Sequence, residues 1–150
     1  MSLSIRQHAV KSSQPDLDTA PGEVLTALII PVIQLSAHFS RAGEAIARTG
    51  GQTLARWLVL EAVATAPATV ARIARGLGLT RQSVQRIADV LEGDGLTAYM
   101  ENPEHERSKL VRLTPRGQRT LRSIQSAQRV WAKGLAGGGG RRPAPREPRR

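Results

Sequence analysis

LTRQSVQRIADVLEGDGLTAYMENPEHERSKLVRL, residues 79–113, reads as one device in two halves. The first half is a short helix. Thr80 suits its N-cap, because the hydroxyl oxygen can accept from a backbone N–H one turn ahead. Behind the cap, Val84, Ile87, Ala88 and Leu91 recur at i, i+3, i+4 and i+7 and form one apolar stripe. Arg81, Gln82, Ser83, Gln85, Arg86 and Asp89 occupy the other face. Gly93 and Gly95 are expected to stop the helix by taking the left-handed turn. The period then changes. Leu96–Glu101 and Lys109–Leu113 read as two strands around a polar loop, Asn102–Ser108, where Pro103 cannot donate to a ladder. A capped helix with a polar outer face, followed by a basic hairpin, is the shape of a winged helix-turn-helix. Its helix enters the major groove and its hairpin meets the backbone or minor groove beside it.

The run LTRQSVQRIADVLEGDGL, continued by NPEHERSKLVRLTPRGQRTL, resembles the MarR family of bacterial transcriptional regulators. The shared features are a leucine-threonine helix start, a leucine-glutamate-x-x-glycine-leucine helix end, and an arginine-bearing wing before leucine-threonine-x-x-glycine. The resemblance covers roughly Thr53 to Leu135. It implies a mostly α fold with a small β wing and flanking dimerisation helices. It also implies a regulator, usually a repressor, released by a small-molecule effector that is often aromatic or phenolic. Arg107 matches the family's wing arginine. Two residues earlier, where the family has an acid that orients that arginine, this chain has His105, and Glu104 or Glu106 could substitute. The family's last helix is missing, and the segment GGGGRRPAPREPRR stands in its place.

Composition points the same way. Across 150 residues, 22 Lys and Arg against 12 Asp and Glu give a formal charge of +10. Residues 137–150 hold five arginines and one glutamate, so the remainder still carries +6. An anionic partner follows, double-stranded DNA before a membrane surface. There are no cysteines, which removes disulfides and thiolate metal sites. No secretory signal is apparent at the N-terminus. The longest apolar run, Ala27–Ile33, contains Pro31 and is too short to span a bilayer, so no membrane partner and a cytoplasmic location are expected.

Residues 1–21 read as a flexible arm and 22–136 as the winged-helix domain. The DNA-binding lobe is expected at about 48–113, the dimerisation helices at about 22–48 and 115–136, and a disordered tail at 137–150. Pro31 predicts a kink, or a first helix that effectively begins there. A second helix, about Thr53–Ala64, is expected to bury Leu54, Trp57, Leu58, Leu60 and Val63. Thr69-Val70 suggests a short strand against the wing, and Ala71–Gly76 a third helix with Arg72 and Arg75 outward. Thr114-Pro115 caps a final helix with Leu121, Ile124, Trp131 and Leu135 as its stripe.

DNA readout needs donors and acceptors on the first turns of the recognition helix. Arg81 and Arg86 suit guanine, Gln82 or Gln85 suits adenine, and Thr80, Ser83, Arg107 and Lys109 suit the backbone or the adjoining groove. His8, His38 and His105 are scattered, no carboxylate pair brackets a cleft, and no phosphate loop follows a strand. No enzyme, cofactor or metal site is expected, and no effector site is identified, although Ile29, Ile33, Leu35 and Phe39 could contribute to one. Two other readings stay open: a winged-helix protein-interaction module, and a non-specific DNA binder driven by the basic tail.

Overall fold

The computed structural model describes residues 21–105 and 107–137. The expected arm, save Pro21, and the expected tail beyond Gly137 lie outside these residues, as does Glu106. Among the described residues the elements run α1 (Pro21–Arg48), α2 (Leu54–Ala62), β1 (Ala68–Thr69), α3 (Val70–Leu77), α4 (Arg81–Gly93), β2 (Thr97–Met100), β3 (Leu110–Leu113) and α5 (Pro115–Ala136). The chain divides between His38 and Phe39 into two compact units, a boundary that falls inside α1.

In the first unit α1 runs through Pro31 without a break, contrary to a helix that starts there. The ring removes only the bond to the Ala27 carbonyl. Ala27 and Pro31 are both exposed, and so are Leu25, Ile30, Val32 and Ile33 around them. By length and composition alone, Gly22–Arg48 could cross a membrane, which the short run Ala27–Ile33 does not suggest.

The second unit holds the core. Four caps set its helices: Thr53, Thr69, Thr80 and Thr114 each turn a side-chain oxygen to a backbone N–H three residues on. Trp57, Leu60, Val63, Ile73, Ala74, Val84, Ala88, Leu91, Val111, Leu121 and Ile124 interlock as one buried cluster with Ile46 and Ala47 of α1. Phe39 meets Trp131 of α5 edge to face, with centroids 5.7 Å apart. In α2 the burial differs from expectation. Val59 is fully buried, whereas Leu58 is 37% exposed. Successive residues stand about 100° apart on a helix, and Leu58 falls opposite the arc shared by Trp57, Val59, Leu60 and Val63. Trp57 belongs to the core, and its indole N–H donates to the Glu61 carboxylate at 3.2 Å.

The sheet is antiparallel with order β1-β3-β2. β3 pairs Val111 with Ala68 and Leu110 with Thr69 on one side. On the other side Leu113 meets Thr97 and Val111 meets Tyr99. Val111 and Leu113 are buried and Arg112 is exposed, so the strand alternates.

The end of α4 also differs from expectation. Gly93 is its last residue, and only Gly95, at φ +69°, takes the left-handed turn. Directly after it the backbone of Leu96 becomes the seat of α5. The Thr114 N–H donates to the Leu96 carbonyl at 3.0 Å, and the Thr114 hydroxyl lies 2.7 Å from the Gly95 carbonyl oxygen. Gly117, one turn into α5, lies so close that a Cβ would strike the Leu96 carbonyl oxygen and sit 2.9 Å from its carbon. Backbone cannot yield as a side-chain tip can. Gly117→Ala should therefore cost about 3 kcal/mol in urea unfolding by overpacking; a loss below about 1 kcal/mol would mean α5 lifts off Leu96 freely.

Candidate nucleic-acid interface

α3 and α4 form a helix-turn-helix joined through Gly78, Leu79 and Thr80. The α4 start is firmly built. Thr80 Oγ1 accepts from the Ser83 N–H at 3.1 Å, and its hydroxyl is 2.8 Å from Ser83 Oγ. No acid occupies the first turn, where Arg81 stands instead. The positive end of the helix dipole and a guanidinium thus share one place, which favours an anion there.

All eight expected contact residues, Thr80, Arg81, Gln82, Ser83, Gln85, Arg86, Arg107 and Lys109, are exposed. They do not form one set. Val84, Ala88 and Leu91 fix the buried side of α4. Gln82 and Arg86, one turn apart, lie opposite that stripe and face outward. Arg81 and Gln85 lie on the flank turned toward the wing. There they line a cleft of about 440 Å³ with Thr69, Tyr99, Arg107, Ser108 and Lys109. Three cations from two separate elements thus converge on one opening. A second cleft of about 350 Å³, on Arg72 and Arg75 of α3, is walled by Pro103, Glu104 and His105 of the wing.

The wing tip is shaped by Asn102, which is buried at 8% exposure. Its side-chain oxygen accepts from the Glu104 N–H at 3.1 Å, and its carbonyl accepts from the His105 N–H at 3.2 Å. This local turn sets the loop from which Arg107 and Lys109 project.

Gln85 is already engaged by other side chains. Its side-chain nitrogen donates to Asp89 Oδ1 at 2.8 Å and to the Tyr99 hydroxyl at 2.7 Å, while the hydroxyl donates to the same Asp89 oxygen at 2.7 Å. Burial, then the Asp89 hydrogen bond, pushes the Tyr99 phenol well above the ordinary tyrosine range. The i, i+4 spacing of Gln85 and Asp89 is visible in the sequence; their meeting with Tyr99 across the wing is not. Among the described residues no group of three or more His, Asp or Glu could hold a metal ion.

A family model described as MarR family matches residues 51–108, from the start of the helix-turn-helix lobe to the wing. The uncharacterized protein Rv2011c of Mycobacterium tuberculosis is 42% identical over 97 residues, covering 65% of this chain and 68% of its own length. Among solved structures, the MarR family transcription regulator SP03579 is similar with a TM-score of 0.71 at 26% identity, over 78% of each chain. The M. tuberculosis transcriptional regulator MosR in complex with DNA gives a TM-score of 0.61 at 21% identity, over 76% of this chain and 84% of its own. CouR from Rhodococcus jostii RHA1, bound to p-coumaroyl-CoA, gives 0.63 at 20% identity, over 84% of each chain.

Thr80→Ala removes the cap of α4 and should lower stability by about 1 kcal/mol in thermal unfolding. An unchanged midpoint would show that the first turn is held by something other than the threonine.

Proposed function

Because the chain belongs to the MarR family, we propose that it is a sequence-specific regulator of transcription that binds double-stranded DNA as a homodimer. The observation that carries this reading is the convergence of Arg81 from α4 with Arg107 and Lys109 from the wing on one cleft, beside the outward row of Gln82 and Arg86. Arg86 and Arg81 read guanine edges, Gln82 reads adenine, and Thr80, Ser83, Arg107 and Lys109 hold the backbone and the neighbouring groove.

The homodimer is supported by the exposed Leu25, Leu28, Ile29 and Ile33 of α1 and Leu135 of α5, apolar surface that a second copy would cover. Two-fold pairing then matches two half-sites one helical turn apart. The DNA-bound MosR supports the DNA assignment, and the ligand-bound CouR supports control by a small organic effector. We take the chain for a cytoplasmic repressor that releases DNA when the effector favours a DNA-incompetent lobe spacing. It is a binding protein and not an enzyme.

The test is binding to the duplex upstream of its own gene against a scrambled duplex, across a salt series, for the full chain and for a chain ending at Ala136. Preference for the upstream duplex that survives truncation is expected. Equal, steeply salt-dependent binding lost on truncation would assign the activity to the basic tail, and no binding would favour a protein partner. Arg86→Ala should relax base preference by roughly 1–3 kcal/mol at one position. Lys109→Ala should instead weaken all duplexes alike and lower the salt slope by about 0.9.

A further inference from the structure

The cleft between α4 and the wing contains a polar triangle that no contact with DNA requires. Tyr99 stands on β2, the first strand of the wing, and Gln85 and Asp89 stand one turn apart on α4. Each edge of the triangle is a hydrogen bond of 2.7 or 2.8 Å. A fourth contact ties the same strand to the same helix, since the Tyr99 backbone N–H donates to Glu92 Oε1 at 3.4 Å.

The inventory of Gln85 is what matters. A glutamine recognises adenine by two bonds at once: its amide nitrogen donates to N7 and its carbonyl accepts from N6. The amide nitrogen has two hydrogens. Both Asp89 and the Tyr99 hydroxyl accept from this nitrogen. While the triangle is closed the amide nitrogen of Gln85 is therefore turned to Asp89 and the wing rather than to a base, and its carbonyl alone makes at most a single bond. Without the Tyr99 hydroxyl only Asp89, one turn on along the same helix, holds that nitrogen.

Resting on the DNA-reading helix proposed above, we propose that Tyr99 is a specificity-determining positioning residue that holds the Gln85 amide against the wing and withholds it from adenine. Base preference then falls to Arg81, Gln82 and Arg86, and the wing strand edits what the recognition helix can read. Phenylalanine at this position keeps the ring and its packing but has no hydroxyl to accept from the Gln85 amide. Its removal opens a reading of adenine that the native chain lacks.

The experiment selects bound sequences from a randomised duplex pool with full-length wild type, Tyr99→Phe and the double variant Tyr99→Phe/Gln85→Ala. Tyr99→Phe should gain about fivefold or more in preference for adenine at one position of each half-site, the factor a bidentate contact supplies at its weaker limit. The double variant should lose that gain. A Tyr99→Phe profile identical to wild type overturns the proposal, and so does a gain that persists in the double variant.

A second measurement needs no DNA. Tyr99 is the one tyrosine of the chain, so the ultraviolet absorbance of its phenolate reports this hydroxyl alone. In wild type it should ionise well above free tyrosine, and in Asp89→Asn at a lower pH. Ordinary ionisation in wild type means the triangle is open in solution and overturns the proposal. A flat selection profile for wild type, by contrast, counts against the sequence-specific reading itself, and the phenol titration then decides the triangle separately.

Discussion

The second unit depends on the seat that Leu96 offers to the first turn of α5. Residue 95 ends the connection out of α4, residue 97 begins β2, and residue 96 between them accepts the Thr114 N–H and abuts Gly117. One peptide thus joins the end of α4, the root of the wing and the start of α5. The pairing of Thr97 with Leu113 closes the hairpin at the same level. α4 and the wing are consequently held together from their shared base, and the Tyr99 triangle fastens them again nearer the tip. A helix and a wing free to splay would pay for their alignment on every binding event.

Charge is arranged along α4 in the same economy. Arg81 and Arg86 occupy its first half, whereas Asp89, Glu92 and Asp94 follow toward its end. The acids are not idle. Asp89 and Glu92 bond Tyr99, and Asp94 pairs with Arg56 of α2 at 3.1 Å. That last pair is exposed and contributes little energy, but it turns the carboxylate toward Arg56 of α2. The basic half is left facing outward.

Most of this architecture is legible in the sequence, because it is written in local chemistry. Thr80 and Thr114-Pro115 announce helix starts through groups only three residues apart, and the Val84–Leu91 stripe fixes which side of α4 is inside. The strands around Asn102–Ser108 are equally local. What escapes is set by partners distant in the chain or by context. Leu58 looks like core by composition, but α2 is buried against α3, α4 and α5 on an arc that excludes it. Gln85 looks unengaged on its face of α4, but Tyr99, fourteen residues on, accepts from its amide. Pro31 looks like a kink or a helix start, yet an exposed helix absorbs the loss of one bond. The eight expected contacts are all exposed; which of them already bonds a side chain distant in the sequence is a tertiary fact.

The two tryptophans are sited in different surroundings. Trp57 is enclosed in the core of the lobe with its indole N–H on a carboxylate, while Trp131 is half-buried on α5 with its face against the edge of Phe39 or the reverse. The chain therefore contains two built-in optical reporters of distinct colour. Emission from the enclosed indole follows the integrity of the lobe, and emission from the other follows whatever covers or uncovers the helix around it. Association of copies, or entry of an aromatic quencher near α5, would dim or shift one component and leave the other as an internal reference.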